Sequence, residues 1–122
     1  MKPHVVRAAE RHVQTGQTSG MVREEAARTE KMWAGVARNA PKAFSGWHHH
    51  GDHESAIYVL NGQVRIECGP GGRTVLEGGP GDFLFIPARE IHREGNPTDA
   101  TTDVVLVRAG QGEVVVNVEG PE

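Results

Sequence analysis

The sequence contains little from which a disulfide or a membrane span could be built. Cys68 is the only cysteine among the 122 residues, so no disulfide can form within the chain, and we expect a small buried hydrophobic residue there. No apolar run approaches the ~18 residues of a membrane span. The N-terminal segment lacks the ~7–15 apolar residues of a signal peptide. We therefore expect a cytoplasmic protein with no membrane partner.

The sequence also has no large excess of positive or of negative charge. Thirteen Lys and Arg residues against sixteen Asp and Glu residues give a net charge of −3. There is no basic stripe and no run of five like charges, so the sequence gives no electrostatic support for nucleic-acid binding. The chain also lacks a nucleophile elbow, a Ser-His-Asp set and a phosphate-binding loop, which excludes the enzyme classes that depend on them.

Short β-branched segments separated by glycine and proline are, in contrast, abundant. The stretch "AIYVL" (56–60) runs into Asn61-Gly62, a strong signal for a tight hairpin, and "QVRIEC" (63–68) then alternates between apolar and polar residues. Further strands are predicted at 73–77, 82–87, 90–94, 103–108 and 113–118. Seven short strands at this spacing indicate an all-β sandwich or barrel.

The segment 21–39, "MVREEAARTEKMWAGVARN", is ambiguous. It is rich in helix-forming residues, and its apolar residues lie near helical spacing, so propensity alone predicts a helix. If the whole chain is a barrel, 21–26 and 31–37 are strands whose tertiary context overrides that propensity.

Four of the seven histidines lie in "GWHHHGDHESAIYVLNG" (46–62). The run is internal and only three residues long, which is unlike a purification tag. On an extended backbone His48 and His50 project from one face and can share a metal ion, whereas His49 points away. His92, in "FLFIPAREIHREGN", is the candidate for a third ligand from another strand.

These two segments resemble the two motifs of the cupin superfamily. Residues 46–62 contain the His-x-His pair, a nearby acidic residue and the closing Gly62, and residues 81–96 contain Gly81, Pro87, His92 and Asn96 at the spacing of the second motif. Eighteen residues separate the motifs, as in small single-domain bacterial cupins. The resemblance implies one domain over 1–122, a jelly-roll β-barrel at 46–118 after an N-terminal extension of about 45 residues. It also implies that His48, His50 and His92 are metal ligands.

Two positions depart from the motifs. Ser55 stands where the first motif usually has its ligand Glu. Glu54 or His53 is therefore a candidate fourth ligand, beside a site of three histidines with an open position. Arg89 stands where the second motif usually has Gly. It is either a plain surface arginine or a residue near the barrel rim whose guanidinium is a candidate for holding a carboxylate.

We expect the interior to be lined by apolar residues of the central strands or by their strand neighbours. The candidates are Ile57, Val59, Val64, Ile66, Phe83 and Phe85. Trp47 and Trp33 either flank the mouth or pack as buried side chains, which is the default for Trp. Together with Arg89 near the barrel rim, three of these aromatic residues are candidates for substrate binding. The candidate substrate-binding residues are Arg89, Trp47, Phe83 and Phe85.

The expected function is that of a metal-dependent enzyme. Three imidazoles suit one divalent transition metal ion, namely Fe, Ni, Cu, Mn or Zn. The resemblance implies dioxygenase-, isomerase- or lyase-like chemistry on a small anionic or enolisable molecule, with Glu54, His53 and Tyr58 as candidate acids or bases. The alternative is a non-catalytic cupin that binds or senses a small molecule and whose metal is structural or holds the ligand.

A homodimer is expected from the N-terminal segment, which is too long to be a lead-in strand alone. Pairing with the sheet edge of a second copy would cover its apolar residues. Those residues are Val5, Val6, Met21, Val22, Met32 and Trp33.

Overall fold

The structure, a computed structural model, describes residues 2–14, 20–110 and 115–122 and is almost entirely β. Its strands are β1 His12–Gln14, β2 Met21–Arg28, β3 Met32–Asn39, β4 His48–His49, β5 Glu54–Asn61, β6 Val64–Cys68, β7 Thr74–Gly78, β8 Phe83–Ile86, β9 His92–Gly95, β10 Thr102–Ala109 and β11 Val116–Asn117. Two short 3-10 helices span Ala8–Glu10 and Pro70–Gly72. In the described ranges no helix has the length and apolar character needed to cross a membrane.

The strands form two antiparallel sheets that face each other. The six-stranded sheet has the order β1-β2-β3-β10-β5-β8, and the five-stranded sheet has the order β11-β4-β9-β6-β7. Strands adjacent in space are mostly distant in sequence, as in a jelly roll. The prediction of an all-β jelly roll is confirmed.

The ambiguous segment 21–39 forms two strands, and the helix favoured by propensity is wrong. β3 pairs with β10 along its whole length, from Met32 opposite Ala109 to Asn39 opposite Thr102, and β2 pairs with the other edge of β3. A Cβ at Gly35 would overlap the carbonyl oxygen of Glu24. Gly35 therefore allows β2 and β3 to approach each other closely. This close approach explains a glycine within a strand, whereas a glycine inside a helix would have no such role.

The predicted strands after residue 56 agree with β5 to β10 to within a few residues. The tight turn predicted at Asn61-Gly62 is confirmed, because β5 ends at Asn61 and β6 begins at Val64, with Gly62 at a φ of 78°. The predicted hairpin is wrong, because β5 pairs with β8 and β10 in one sheet while β6 pairs with β7 and β9 in the other, so the turn carries the chain between the sheets. Residues 113 and 114 of the last predicted strand lie outside the described residues, and β11 accounts for part of the remainder.

The core lies between the sheets and is built from alternate residues of β5, β6, β8 and β10, with Ala37 from β3. Both sheets contribute buried apolar side chains, namely Ala37, Ile57, Val59, Val64, Ile66, Leu84, Ile86, Val104 and Leu106. Of the two faces of β8 that the sequence left open, the one with Leu84 and Ile86 points inward, whereas Phe83 and Phe85 are 72% and 58% exposed. Ile57 on β5 lies opposite Leu84 on β8, so the two side chains share the inward face of the sheet.

Candidate metal centre

Three histidines and one glutamate meet on the inner face of the five-stranded sheet. His48 on β4 lies opposite His92 on β9, and Glu94 follows two residues after His92 on the same face of β9. His50 comes from the chain just after β4. One ligand atom from each of the four side chains lies within 4.8 Å of the others.

Backbone carbonyls fix the orientation of two of these rings. Nδ1 of His48 lies 2.8 Å from the Gly46 carbonyl oxygen, and Nδ1 of His92 lies 2.8 Å from that of Glu90. A carbonyl oxygen can only accept a hydrogen bond, so each Nδ1 carries the proton and each Nε2 keeps its lone pair. The Nε2 atoms of His48 and His92 lie 3.8 and 3.9 Å from Glu94 Oε1.

The three histidine rings of the cluster are buried. His48, His50 and His92 are 5%, 3% and 0% exposed. Nε2 of His92 has no hydrogen-bond partner among the described residues. A buried polar atom in this state costs about 1–3 kcal/mol. Three convergent imidazoles and a carboxylate are a donor set that suits a divalent transition metal, and a bound ion would satisfy this nitrogen.

The charges around the cluster favour the protonation states that metal ligands need. Burial lowers the pKa of His48, and this outweighs the opposite effects of the Gly46 carbonyl and Glu94, so the imidazole stays neutral at pH 7. Burial opposes ionisation of Glu94, but the neighbouring His92, His48 and Arg23 act in the other direction. The pKa of the Glu94 carboxyl is therefore below its usual value.

Glu94 was not among the candidate ligands from the sequence. The structure places Glu94 beside the three histidines, whereas Glu54, at the start of β5, is exposed and outside the group. The segment "EIHRE" contained a usable signal, because His92-x-Glu94 repeats the spacing of His48-x-His50. Every other residue of a strand shares a face, so the same argument would have brought Glu94 to the site.

Comparison with known proteins assigns the chain to a family. Residues 35–108, more than half of the chain, match the family described as Cupin_2, a cupin domain. The chain belongs to the cupin family. The resemblance carried by the two motifs is therefore confirmed. A search of curated proteins finds no match.

Solved structures share the fold of this cupin at low sequence identity. The polyketide cyclase RemF from Streptomyces resistomycificus superposes with a TM-score of 0.80 at 21% identity, covering 100% of this chain and 89% of that one. KdgF from Halomonas sp. gives a TM-score of 0.76 at 20% identity, covering 91% and 96%. An uncharacterised double-stranded β-helix protein from Klebsiella pneumoniae gives 0.75 at 18% identity, covering 97% and 99%.

His53 and Ser55 lie near the four candidate metal ligands of this cupin but are not among them. His53 is 4% exposed, and its Nδ1 lies 3.0 Å from the His50 carbonyl oxygen, so the ring braces the backbone of a candidate ligand. Ser55 is buried, and its hydroxyl accepts a hydrogen bond of 3.2 Å from Nε of Arg108. Neither side chain belongs to the group of four.

Three candidates from the sequence lie on the outer face of the six-stranded sheet. Tyr58 alternates with the inward Ile57 and Val59, and its ring packs 4.8 Å from that of Phe83. Phe85 follows on the same outer face of β8. The structure does not bring Tyr58, Phe83 or Phe85 to the histidine cluster.

Trp47 and Arg89 also lie apart from the cluster. The guanidinium of Arg93 lies 5.4 Å from the Trp47 ring, on the face of β9 opposite to His92 and Glu94. Arg89 is 74% exposed and pairs with the exposed carboxylate of Asp52. Arg89 has a φ of 63°, which explains why glycine suits this position of the motif.

Proposed function

We propose that this cupin is an enzyme that depends on one divalent transition metal ion and acts on a small anionic or enolisable molecule. His48, His50, His92 and Glu94 would hold the ion. The observation that carries the proposal is the cluster itself, in which four ligand atoms converge within 4.8 Å on the inner face of a sheet. Nε2 of His92 is buried with no hydrogen-bond partner in the described part of the chain, which suits a ligand more than a structural role.

The donor set limits the chemistry of the site. Three imidazoles and one carboxylate suit Mn, Fe, Ni, Cu or Zn. When bound, such an ion polarises a substrate oxygen or activates water or O₂, which fits isomerase-, lyase- or dioxygenase-like reactions. Solved cupin structures of similar fold are described as a polyketide cyclase, a sugar phosphate isomerase and an oxalate decarboxylase, so this fold accommodates such reactions.

The surrounding residues prepare the site in three ways. The Gly46 and Glu90 carbonyls hold two imidazoles in the tautomer whose Nε2 faces inward. Apolar side chains such as Ile57 and Leu106 line the space beside Glu94 and lower its polarity. Burial keeps His48 neutral, so no proton has to leave before it acts as a ligand. A cytoplasmic location stays a prediction of the sequence.

Metal-dependent turnover tests the proposal. Protein loaded in turn with Mn, Fe, Ni, Cu and Zn is screened against diketones, keto acids and phenolic compounds. We expect turnover with at least one metal, abolished in His92→Ala. His49→Ala is the matched control, because His49 neighbours the cluster but lies outside it, and it should remain active. One bound metal per chain without turnover of any compound would favour the non-catalytic alternative.

A further inference from the structure

Arg23 on β2 points into the interior of the protein. It lies opposite Ala37 on β3, which lies opposite Val104 on β10, which in turn lies opposite Val59 on β5. Residues directly opposite each other in antiparallel strands share a face of the sheet. Because Ala37, Val104 and Val59 are all buried core residues, the half-buried side chain of Arg23 starts from the same inner face.

Arg23 and the candidate ligand Glu94 line the same cavity. The cavity has a volume of about 30 Å³ and lies between the sheets. Its other walls are formed by Met21, Ala37, Asn39, Ile57, Val64, Val104 and Leu106.

The strand that supplies Arg23 lies outside the part of the chain that matches the cupin family. That match begins at residue 35, whereas β2 spans Met21–Arg28. One wall of the cavity is therefore built by the segment that precedes the family match.

We propose that Arg23 binds the carboxylate of the substrate, so that the substrate is a small oxo or hydroxy acid. This inference rests on the proposed function, because it assigns the substrate class of that site. A divalent ion, one Glu94 carboxylate and one guanidinium leave the site with a net positive charge, which attracts an anion. Arginine donates two parallel hydrogen bonds to a carboxylate. The cavity offers space for roughly two water positions, which a carboxylate group fits.

The competing role for Arg23 is that of a counter-charge that merely holds Glu94. The two roles differ in what they affect. A counter-charge would change the metal content of the protein and leave the preference for anionic ligands unchanged. A carboxylate-binding residue would change the affinity for an acid and leave the affinity for the matching ester unchanged.

Calorimetric titration with pyruvate and with methyl pyruvate tests the proposal. The two probes share the oxo group and differ in one negative charge. The variants are Arg23→Gln and Arg23→Lys, and Arg38→Gln is the matched control. Arg38 lies on β3 with an exposed side chain that pairs with Asp103, so its loss removes one positive charge from the face of β3 opposite to the cavity-lining Ala37 and Asn39. Each variant is titrated with bound metal and after metal removal, and its metal content is measured first.

We expect pyruvate to bind the metal-loaded protein more tightly than methyl pyruvate. Arg23→Gln should weaken pyruvate binding ~10-fold or more and leave methyl pyruvate binding within about twofold. Arg23→Lys should retain part of the preference, and Arg38→Gln all of it. The proposal is overturned if neither probe binds the wild-type protein, if Arg23→Gln weakens both probes equally, or if it lowers only the metal content.

Failure of the proposed function gives a different pattern. In that case the wild-type protein takes up no metal or turns over no compound. The metal-free titration still tests Arg23, because an arginine binds a carboxylate without a metal ion. A loss of the pyruvate preference in metal-free Arg23→Gln would support the inference, and an unchanged preference would refute it.

Discussion

Glu94 and Glu54 are both close in sequence to candidate metal ligands, but only Glu94 faces the interior. Glu94 has a side chain that is 15% exposed and lies 3.8 Å from His48 Nε2. Glu54 is exposed at the start of β5. A carboxylate contributes to metal affinity only if it can reach the ion or orient another ligand.

Glu94→Gln should therefore weaken metal binding, by ~10-fold or more, because the variant loses the negative charge beside the three imidazoles. Glu54→Gln is the control and should leave the affinity within about twofold. Competitive titration against a chelator of known affinity measures both. The reverse order of effects would show that the carboxylate ligand comes from β5.

The metal-free protein should lose stability as the pH falls below about 6.5, the usual pKa of histidine. Burial lowers the pKa of His48 in the folded state, so the unfolded chain takes up this proton more readily. The contribution of neutral His48 is thus present above about 6.5 and lost as the pH falls through the lowered pKa. Thermal unfolding across this range should show the loss.

His48→Gln should show a weaker dependence of the unfolding temperature on pH than the wild-type protein. His12→Gln is the control, since His12 is exposed on β1 and should leave the dependence unchanged. Identical pH dependence in His48→Gln and the wild-type protein would refute the role of His48.

At the scale of elements, the turn between β5 and β6 places two constraints on Gly62. Its φ of 78° is in the left-handed region, and a Cβ there would overlap Oγ1 of Thr102 and lie 2.9 Å from its Cα. The Thr102 hydroxyl also accepts a hydrogen bond from the Gln63 amide and donates one to the Gln63 carbonyl. Thr102 therefore cannot move away without breaking these bonds.

Gly62→Ala should destabilise the protein by about 2–4 kcal/mol, from backbone strain and overpacking together. Gly81→Ala isolates the first effect. Gly81 has a φ of 89°, but a Cβ at this position would meet no other atom of the described residues within 4 Å beyond its chain neighbours. Its cost should therefore be about 1–2 kcal/mol. Urea unfolding measures both, and equal losses in the two variants would contradict the contact with Thr102.

The elements that the sequence predicted well are those with local signals. Turn residues and alternation located β5 to β10, because a turn such as that at Asn61-Gly62 depends on a local residue, Gly62, that readily adopts a positive φ. The segment 21–39 had the opposite local preference, and its conformation depends on pairing with β10, which is distant in sequence. The inward face of β8 also depends on its partner β5, so Phe83 and Phe85 could not be oriented from their own strand.

The candidate site was predictable to the extent that each ligand lay in a local pattern. His48, His50 and His92 came from two motifs, and β4 and β9 bring these together. The sequence did not predict Glu94 as a ligand, because the family pattern places the carboxylate ligand in the first motif, at position 55. Arg23 was missed because the faces of a strand cannot be assigned while the segment is equally consistent with a helix.

At the scale of the whole molecule, both ends of the six-stranded sheet are strand edges, β1 and β8. Val5 and Val13 near the β1 edge are 64% and 63% exposed. Of the apolar residues expected to need cover, Met32 is also exposed at 38%, while Met21 and Trp33 are partly buried within the chain itself. Exposed apolar residues beside an edge that pairs with no further strand among the described residues favour pairing with a second copy.

We propose that the protein forms a homodimer through the β1 edge. Light scattering at micromolar concentration should give twice the mass of one chain. Val13→Glu should give a monomer, because it places a charge in the proposed interface. Val75→Glu, on the β7 edge of the other sheet, is the control and should remain a dimer. A monomeric wild-type protein would refute the proposal.

The metal content of tag-free protein purified without added metal tests the central claim most directly. Elemental analysis should find about one divalent transition metal ion per chain in the wild-type protein. The His48→Ala, His92→Ala double variant should contain almost none, because two of the four converging ligands are gone. A wild-type protein that binds no metal even after incubation with Mn, Fe, Ni, Cu and Zn, or a double variant with full occupancy, would contradict the metal centre.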